Sequence, residues 1–200
     1  SLIMVSATLT VQDEFTNFIN RSGLERYYKE GRLVTVLEDS PFDYHNQAGF
    51  YIVKDLPDPS SVRFVTESNA VLEKILENTC GSTLVLFTSR KQMQESSAYL
   101  RQKLYGQNLK LLVQYEDGEF ASLMDQFVNS RDTILMGLET YWEGIDLKGD
   151  ALKYLVIVKL PFRSPSDPYC SAWERYYRIR RQNSFENFML PDAVTRFKQG

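Results

Sequence analysis

"STLVLFTSRKQMQESSAYLRQKLYG", residues 82–106, decides the fold. Its first eight residues form a short apolar run of strand length, and the rest reads as a helix ending at Gly106. The same rhythm continues downstream. "LKLLVQ" (109–114) reads as a strand, "EFASLMDQFVNS" (119–130) as a helix, and "TILMGL" (133–138) and "LKYLVIVKLPF" (152–162) as strands. "DPYCSAWERYYRIRRQ" (167–182) reads as a further helix. Upstream, "SNAVLEKILENTCG" (68–81) spaces Val71, Leu72, Ile75 and Leu76 for one helical face. Continuous apolar strands alternating with helices predict an α/β fold. The expected form is an open parallel sheet with helices on both faces and right-handed crossovers.

Outside this block the pattern is less regular. "SLIMVSATLT" opens with a strand-like run at Leu2–Val5, and "TVQDEFTNFINRSGL" (10–24) reads as a helix capped by Thr10 and stopped by Gly23. "RLVTVLED" (32–39) and "GFYIVKDLP" (49–57) have strand character, with "SPFDYHNQA" (40–48) as the loop between them. "LPDPSSV" (56–62) is a proline-rich turn. At the other end, "LPDAVTRFKQG" (190–200) reads as a helix with Pro191 in its first turn. Both ends suggest a piece of a longer protein.

The 200 residues suit one substantial domain, and 43% apolar with 24% charged residues is ordinary globular composition. A net charge of -3 does not advertise nucleic-acid binding, yet a local basic face can act inside an acidic whole. Two cysteines, Cys80 and Cys170, make neither a disulfide framework nor a metal cluster. With no membrane span and no signal peptide in the pattern, the cytoplasm is the simplest expectation. His45 is the single histidine, which leaves little for Ser/His/Asp or Cys/His chemistry. No GxxxxGK[ST] phosphate loop and no GxGxxG occurs.

Ligands of parallel α/β sheets sit beyond the carboxyl ends of the strands. The candidate loops here are polar and aromatic: "TSRKQ", "QYEDG", "LETYWEGIDLKG", "LPFRSPSDP", "SATLT" and "SPFDYHNQ". The third gathers Glu139, Glu143 and Asp146 around Trp142 and Gly144.

These loops carry a resemblance. The chain resembles the second motor domain of superfamily 2 DNA helicases of the DinG/XPD type, its bacterial DinG-like branch above all. "VSATLT" is similar to helicase motif III, "DSPFDYHNQA" (39–48) to the segment that follows it, and "LVLFTSRKQM" (84–93) to motif IV. "GLETYWEGIDLKGDALKYLVIVKLPF" (137–162) is similar to motif V, with Lys148 where the family often has proline. "LPDAVTRFKQG" is similar to the lead into motif VI. The resemblance spans nearly the whole chain. It implies a RecA-like domain, with residues 1–22 as the end of the first motor domain and its linker. Residues 23–200 would then be the second motor domain, cut at the start of motif VI.

In that family ATP, with Mg, binds between two such domains, and the first domain supplies the phosphate loop and the metal-binding acids. The resemblance therefore implies catalytic roles for Glu143, Gly144, Asp146 and Gln199, and nucleotide contacts for Asp146, Gln199 and Gly200. The glycine admits close backbone approach, and the carboxylates orient arginines or accept from donors. The motif VI arginines and the phosphate loop lie outside these residues, so this piece is expected not to hydrolyse ATP alone.

For nucleic acid, the resemblance points to Thr88, Ser89, Arg90 and Lys91 in motif IV, and to Glu139 and Trp142 in motif V. Hydroxyls, amides and cations at a helix start can hold phosphates without reading sequence. The plainer readings are a capped helix start and a tryptophan that packs its loop. Arg175 and Arg178 belong to "WERYYRIRRQ", where aromatics and arginines interleave. Such a patch stacks bases, or its aromatics pack on the sheet and its arginines are solvated. The expected partners are single-stranded DNA and the first motor domain, with no membrane, and with self-association through the Leu2–Val5 strand. The expected function is coupling of ATP hydrolysis to translocation and unwinding in DNA repair, with an exonuclease in some relatives. Two rivals remain: a metal-dependent nuclease using Glu139, Glu143 and Asp146, and a non-catalytic binding module.

Overall fold

Four short apolar runs pair in parallel to build the sheet. The computed structural model describes residues 2–142, 145, 147, 149–164 and 166–199, without the side chain of Glu139. The strands are β1 (Thr83–Leu86), β2 (Lys110–Val113), β3 (Thr133–Gly137) and β4 (Tyr154–Ile157). The helices are α1 (Thr16–Arg21), α2 (Glu25–Lys29), α3 (Tyr44–Gln47), α4 (Phe64–Thr79), α5 (Arg90–Lys103), α6 (Phe120–Val128), α7 (Pro168–Ile179) and α8 (Leu190–Gln199). The chain forms two compact units, Asp55–Leu160 and Ser1–Lys54 with Pro161–Gln199.

The unit of residues 55–160 contains the sheet, in the order β2-β3-β1-β4. Every residue of β1 and β3 is buried, because each strand has neighbours on both edges and cover on both faces. The edge strand β4 is half exposed. Alternation divides the buried side chains between the two faces. Val85, Phe87, Val113, Ile134 and Met136 form one cluster with Leu72 and Leu76 of α4 and Met93 and Leu100 of α5. Leu84, Leu86, Leu112 and Leu135 point the other way. The step from β1 to β2 crosses the sheet in one direction and the step from β2 to β3 returns. Right-handed connections therefore put α5 and α6 on opposite faces.

Two glycines fit this unit closely. Gly81 has φ +108, and a Cβ there would lie 2.2 Å from the Arg131 carbonyl oxygen. A Cβ on Gly137 would lie 2.4 Å from Cδ2 of Tyr141, so the bare glycine is what lets that ring fold back over the end of β3.

In the unit of residues 1–54 and 161–199 a buried carboxylate joins two arginines. Asp192, 4% exposed, accepts from Arg21 at 3.0 Å and from Nε of Arg163 at 2.8 Å. Burial opposes the charge of Arg163, but Asp192 and Asp167 outweigh it and hold the guanidinium above its usual range. Arg21 also donates to the Tyr169 hydroxyl at 2.8 Å, and its guanidinium lies 5.5 Å from the Phe188 ring centroid. Trp173 stacks on Phe188 at 5.5 Å and on Tyr177 at 5.7 Å. The α7 aromatics thus have ring partners within their own unit. A π-helix, Phe185–Met189, leads into α8, a feature that apolar spacing did not disclose.

Three expected strands do not form. Residues 2–5, 32–39 and 49–57 make no sheet ladder, and Leu2, Ile3, Val5, Val34, Phe50 and Tyr51 are exposed. β-Branched content favours a strand only where an edge is there to pair with it, and a lone extended segment satisfies its backbone with water. Thr10 caps no helix. It is buried, α1 begins six residues later, and the Thr10 carbonyl accepts from Lys198 at 3.4 Å. Residues 40–48, expected as loop, contain the single turn of α3.

Candidate functional site

The pairing of β1 with β3 sets two loops beside each other. Leu86 and Gly137 are register partners, and the Phe87 N–H donates to the Gly137 carbonyl at 2.9 Å. The loop after β1 (88–89, entering α5) and the loop after β3 (from Leu138) therefore leave the same end of adjacent strands. This is the end where parallel α/β sheets hold ligands.

Ser89 is the N-cap of α5, in extended conformation, and its hydroxyl accepts from the Gln92 N–H at 3.4 Å. Thr88, Arg90 and Lys91 are exposed. Lys91 is 3.9 Å from Glu95, a solvated pair of little energetic weight. Arg90 lies over the Tyr115 ring at 4.7 Å. Gln92 is 4% exposed, and its amide nitrogen and oxygen find no hydrogen-bond partner among the described residues.

The loop after β3 starts under tight control. Gln114, the last buried residue of the β2 run, accepts from the Leu138 N–H at 2.7 Å and donates to the Thr140 hydroxyl at 2.6 Å. The chain then turns through a 3₁₀ segment, Glu139–Tyr141. Tyr141 packs on Phe120 with ring centroids 4.8 Å apart. Burial, with a smaller contribution from Tyr115, pushes the Tyr141 phenol up to about 12. Its hydroxyl has no hydrogen-bond partner among the described residues.

Trp142, singled out as a nucleic-acid contact, is 5% exposed. Glu143, Gly144, Asp146 and Gly200 lie outside the described residues, as does the side chain of Glu139. Gln199 is exposed at the end of α8, and Arg175 and Arg178 are exposed on α7. Gln114 and Tyr115 were not singled out as site residues from sequence. Their signal is the polar pair "QY" at the point where a buried strand ends.

Among the described residues no group of three His, Cys, Asp or Glu side chains could hold a metal ion. No helix among them is long and apolar enough to cross a membrane.

A four-stranded parallel sheet, with its polar loops gathered where strands end, defines a RecA-like α/β domain. The family model described as the helicase C-terminal domain matches residues 72–200, and the chain belongs to that family. Its relatives include the "ATP-dependent DNA helicase YoaA" of Escherichia coli, 34% identical over all of this chain and 30% of the relative. The "3'-5' exonuclease DinG" of Bacillus subtilis is 33% identical over all of this chain and 22% of the relative. The "ATP-dependent DNA helicase DinG" of Photobacterium profundum is 34% identical over 98% of this chain and 28% of the relative. The chain thus spans less than a third of each of these relatives.

Proposed function

We propose that this chain is the second motor domain of a DinG-like, ATP-dependent DNA helicase that moves on single-stranded DNA and opens duplexes during repair. The observation that carries the reading is the β1–β3 pairing, with Leu86 opposite Gly137, which sets the motif IV and motif V loops side by side. A strand crossing there would meet Thr88, the Ser89 cap, Arg90 and Lys91 through its phosphates. Gln114 would fix the level at which the motif V loop departs. Trp142 would support that loop from beneath. Arg175 and Arg178 offer exposed positive charge on the other compact unit.

The nucleotide belongs to the whole motor. ATP supplies the free energy of movement when bound, and this chain contributes Gln199 with Asp146 and Gly200 from its motifs. The phosphate cradle and the magnesium-binding acids are assigned to the first motor domain, the principal protein partner. That partner, or a second copy, is also the one to which the exposed Leu2–Val5 run is offered. A motor on genomic DNA works in the cytoplasm of a bacterial cell.

ATP turnover of the full-length protein, with and without single-stranded DNA, tests this. DNA-stimulated turnover is expected, with strand affinity falling as salt rises. Asp146→Ala should remove most of the stimulation. Turnover indifferent to DNA, together with no strand binding at low salt, would overturn the reading.

A further inference from the structure

The turn after β2 holds an aromatic ring that stands outside the core cluster. Tyr115 has φ +70, a left-handed conformation that a bulky side chain adopts at an energetic cost. Three hydrogen bonds keep it there. The N–H groups of Glu116 and Asp117 both donate to the Val113 carbonyl, at 3.1 and 3.0 Å, and the Asp117 carboxylate accepts from the Val113 N–H at 2.7 Å. Arg101 fixes Asp117 in turn at 2.6 Å. A strained backbone held this firmly would be expected to bury its side chain, yet Tyr115 is 55% exposed. No other aromatic ring stacks on it among the described residues.

What does meet the ring is Arg90, 4.7 Å from its centroid. Arg90 is the first residue of α5, where the helix dipole disfavours a cation. No carboxylate among the described residues pairs with it. An unpaired cation at an unfavourable position, laid over an exposed ring on a strained turn, is an arrangement built for a ligand. The ligand that suits it is flat and carries negative charge close by.

We propose that Tyr115, backed by Arg90, is a stacking platform for an unpaired nucleobase, with Arg90 neutralising the adjacent phosphate. The proposal rests on the motor reading and adds to it a base contact outside motifs IV and V. Stacking on a π face tolerates any base, so the platform grips without reading sequence.

The test uses the full-length protein, a thymine homopolymer and an abasic strand of the same length, followed by fluorescence anisotropy. Tyr115→Gly should weaken homopolymer binding roughly tenfold and leave the abasic strand unchanged. Tyr115→Phe should bind like the parent. Because glycine is at ease at φ +70, Tyr115→Gly should melt at the same temperature as the parent or higher. Equal losses on both strands, no loss on either, or a lowered melting temperature would overturn the platform. If the unsubstituted protein binds the homopolymer while the variants behave alike, the platform fails and the motor reading stands. If it binds neither strand, both fall together.

Discussion

Gln114 and Leu138 are joined by a hydrogen bond of 2.7 Å from the Leu138 N–H to the Gln114 side-chain oxygen. With the second bond to Thr140, at 2.6 Å, one buried amide holds the first turn of the loop after β3. The end of β2 thereby sets where the motif V loop begins.

Replacing that amide should therefore release the loop. Gln114→Leu leaves the Leu138 N–H without its acceptor, and a buried unpaired donor costs about 1–3 kcal/mol. Urea unfolding should show a loss of that size. Hydrogen exchange should quicken at Leu138 and Tyr141, while Leu84 to Leu86 in β1 should stay protected. Unchanged exchange at Leu138 would mean that the loop is held by other groups.

Tyr141 makes the opposite prediction. Its hydroxyl is buried without a partner among the described residues, so Tyr141→Phe should be neutral or stabilising by about 1 kcal/mol at neutral pH. The phenol is raised to about 12, above the ordinary value of 10.0. Below about pH 10 both folded and unfolded states keep the proton and stability is flat. Between about pH 10 and 12 the unfolded state ionises first, and stability falls by an amount on the order of 2 kcal/mol. The phenylalanine variant should lose that part of the alkaline decline in a comparison of denaturation midpoints across this range.

Gly137→Ala would set a methyl group 2.4 Å from the Tyr141 ring. The ring must move, and it has Phe120 against it. A destabilisation of about 1–3 kcal/mol is expected from such overpacking, measured by thermal melting. The double substitution Gly137→Ala with Tyr141→Ala should recover part of the loss due to the glycine change, because the clash is gone.

Asp192→Ala should loosen the unit of residues 1–54 and 161–199. It strips two guanidiniums of a shared, buried partner. Removing one side of a buried ion pair costs about 3–5 kcal/mol, and the partial exposure of both arginines places this case near or below the low end. Chemical denaturation followed by the fluorescence of Trp173, in a variant lacking Trp142, would report it. A change below about 0.5 kcal/mol, the size of an ordinary surface substitution, would show that the aromatic stack holds the unit by itself.

The alternation of strands and helices from residue 68 to residue 162 was legible in the sequence for a definite reason. β1 and β3 are buried on both faces, so beyond their opening threonines, Thr83 and Thr133, the runs are apolar and unmistakable. The capped start at Ser89 marked the beginning of α5 through local backbone chemistry. The segments 32–39 and 49–57 show the converse. Their residues favour strands, yet they pair with nothing, because propensity supplies no partner edge.

The sequence by itself determined the parallel α/β class, the positions of the motif loops and the membership in a helicase family, because these depend on periodicity and on short motifs. The tertiary structure decided which groups meet. Gln114 reaches Leu138 across 24 residues, and Arg21 reaches Asp192 across 171. Partners so distant along the chain leave no trace in local pattern, since only the folded path of the backbone brings their polar atoms within hydrogen-bond range.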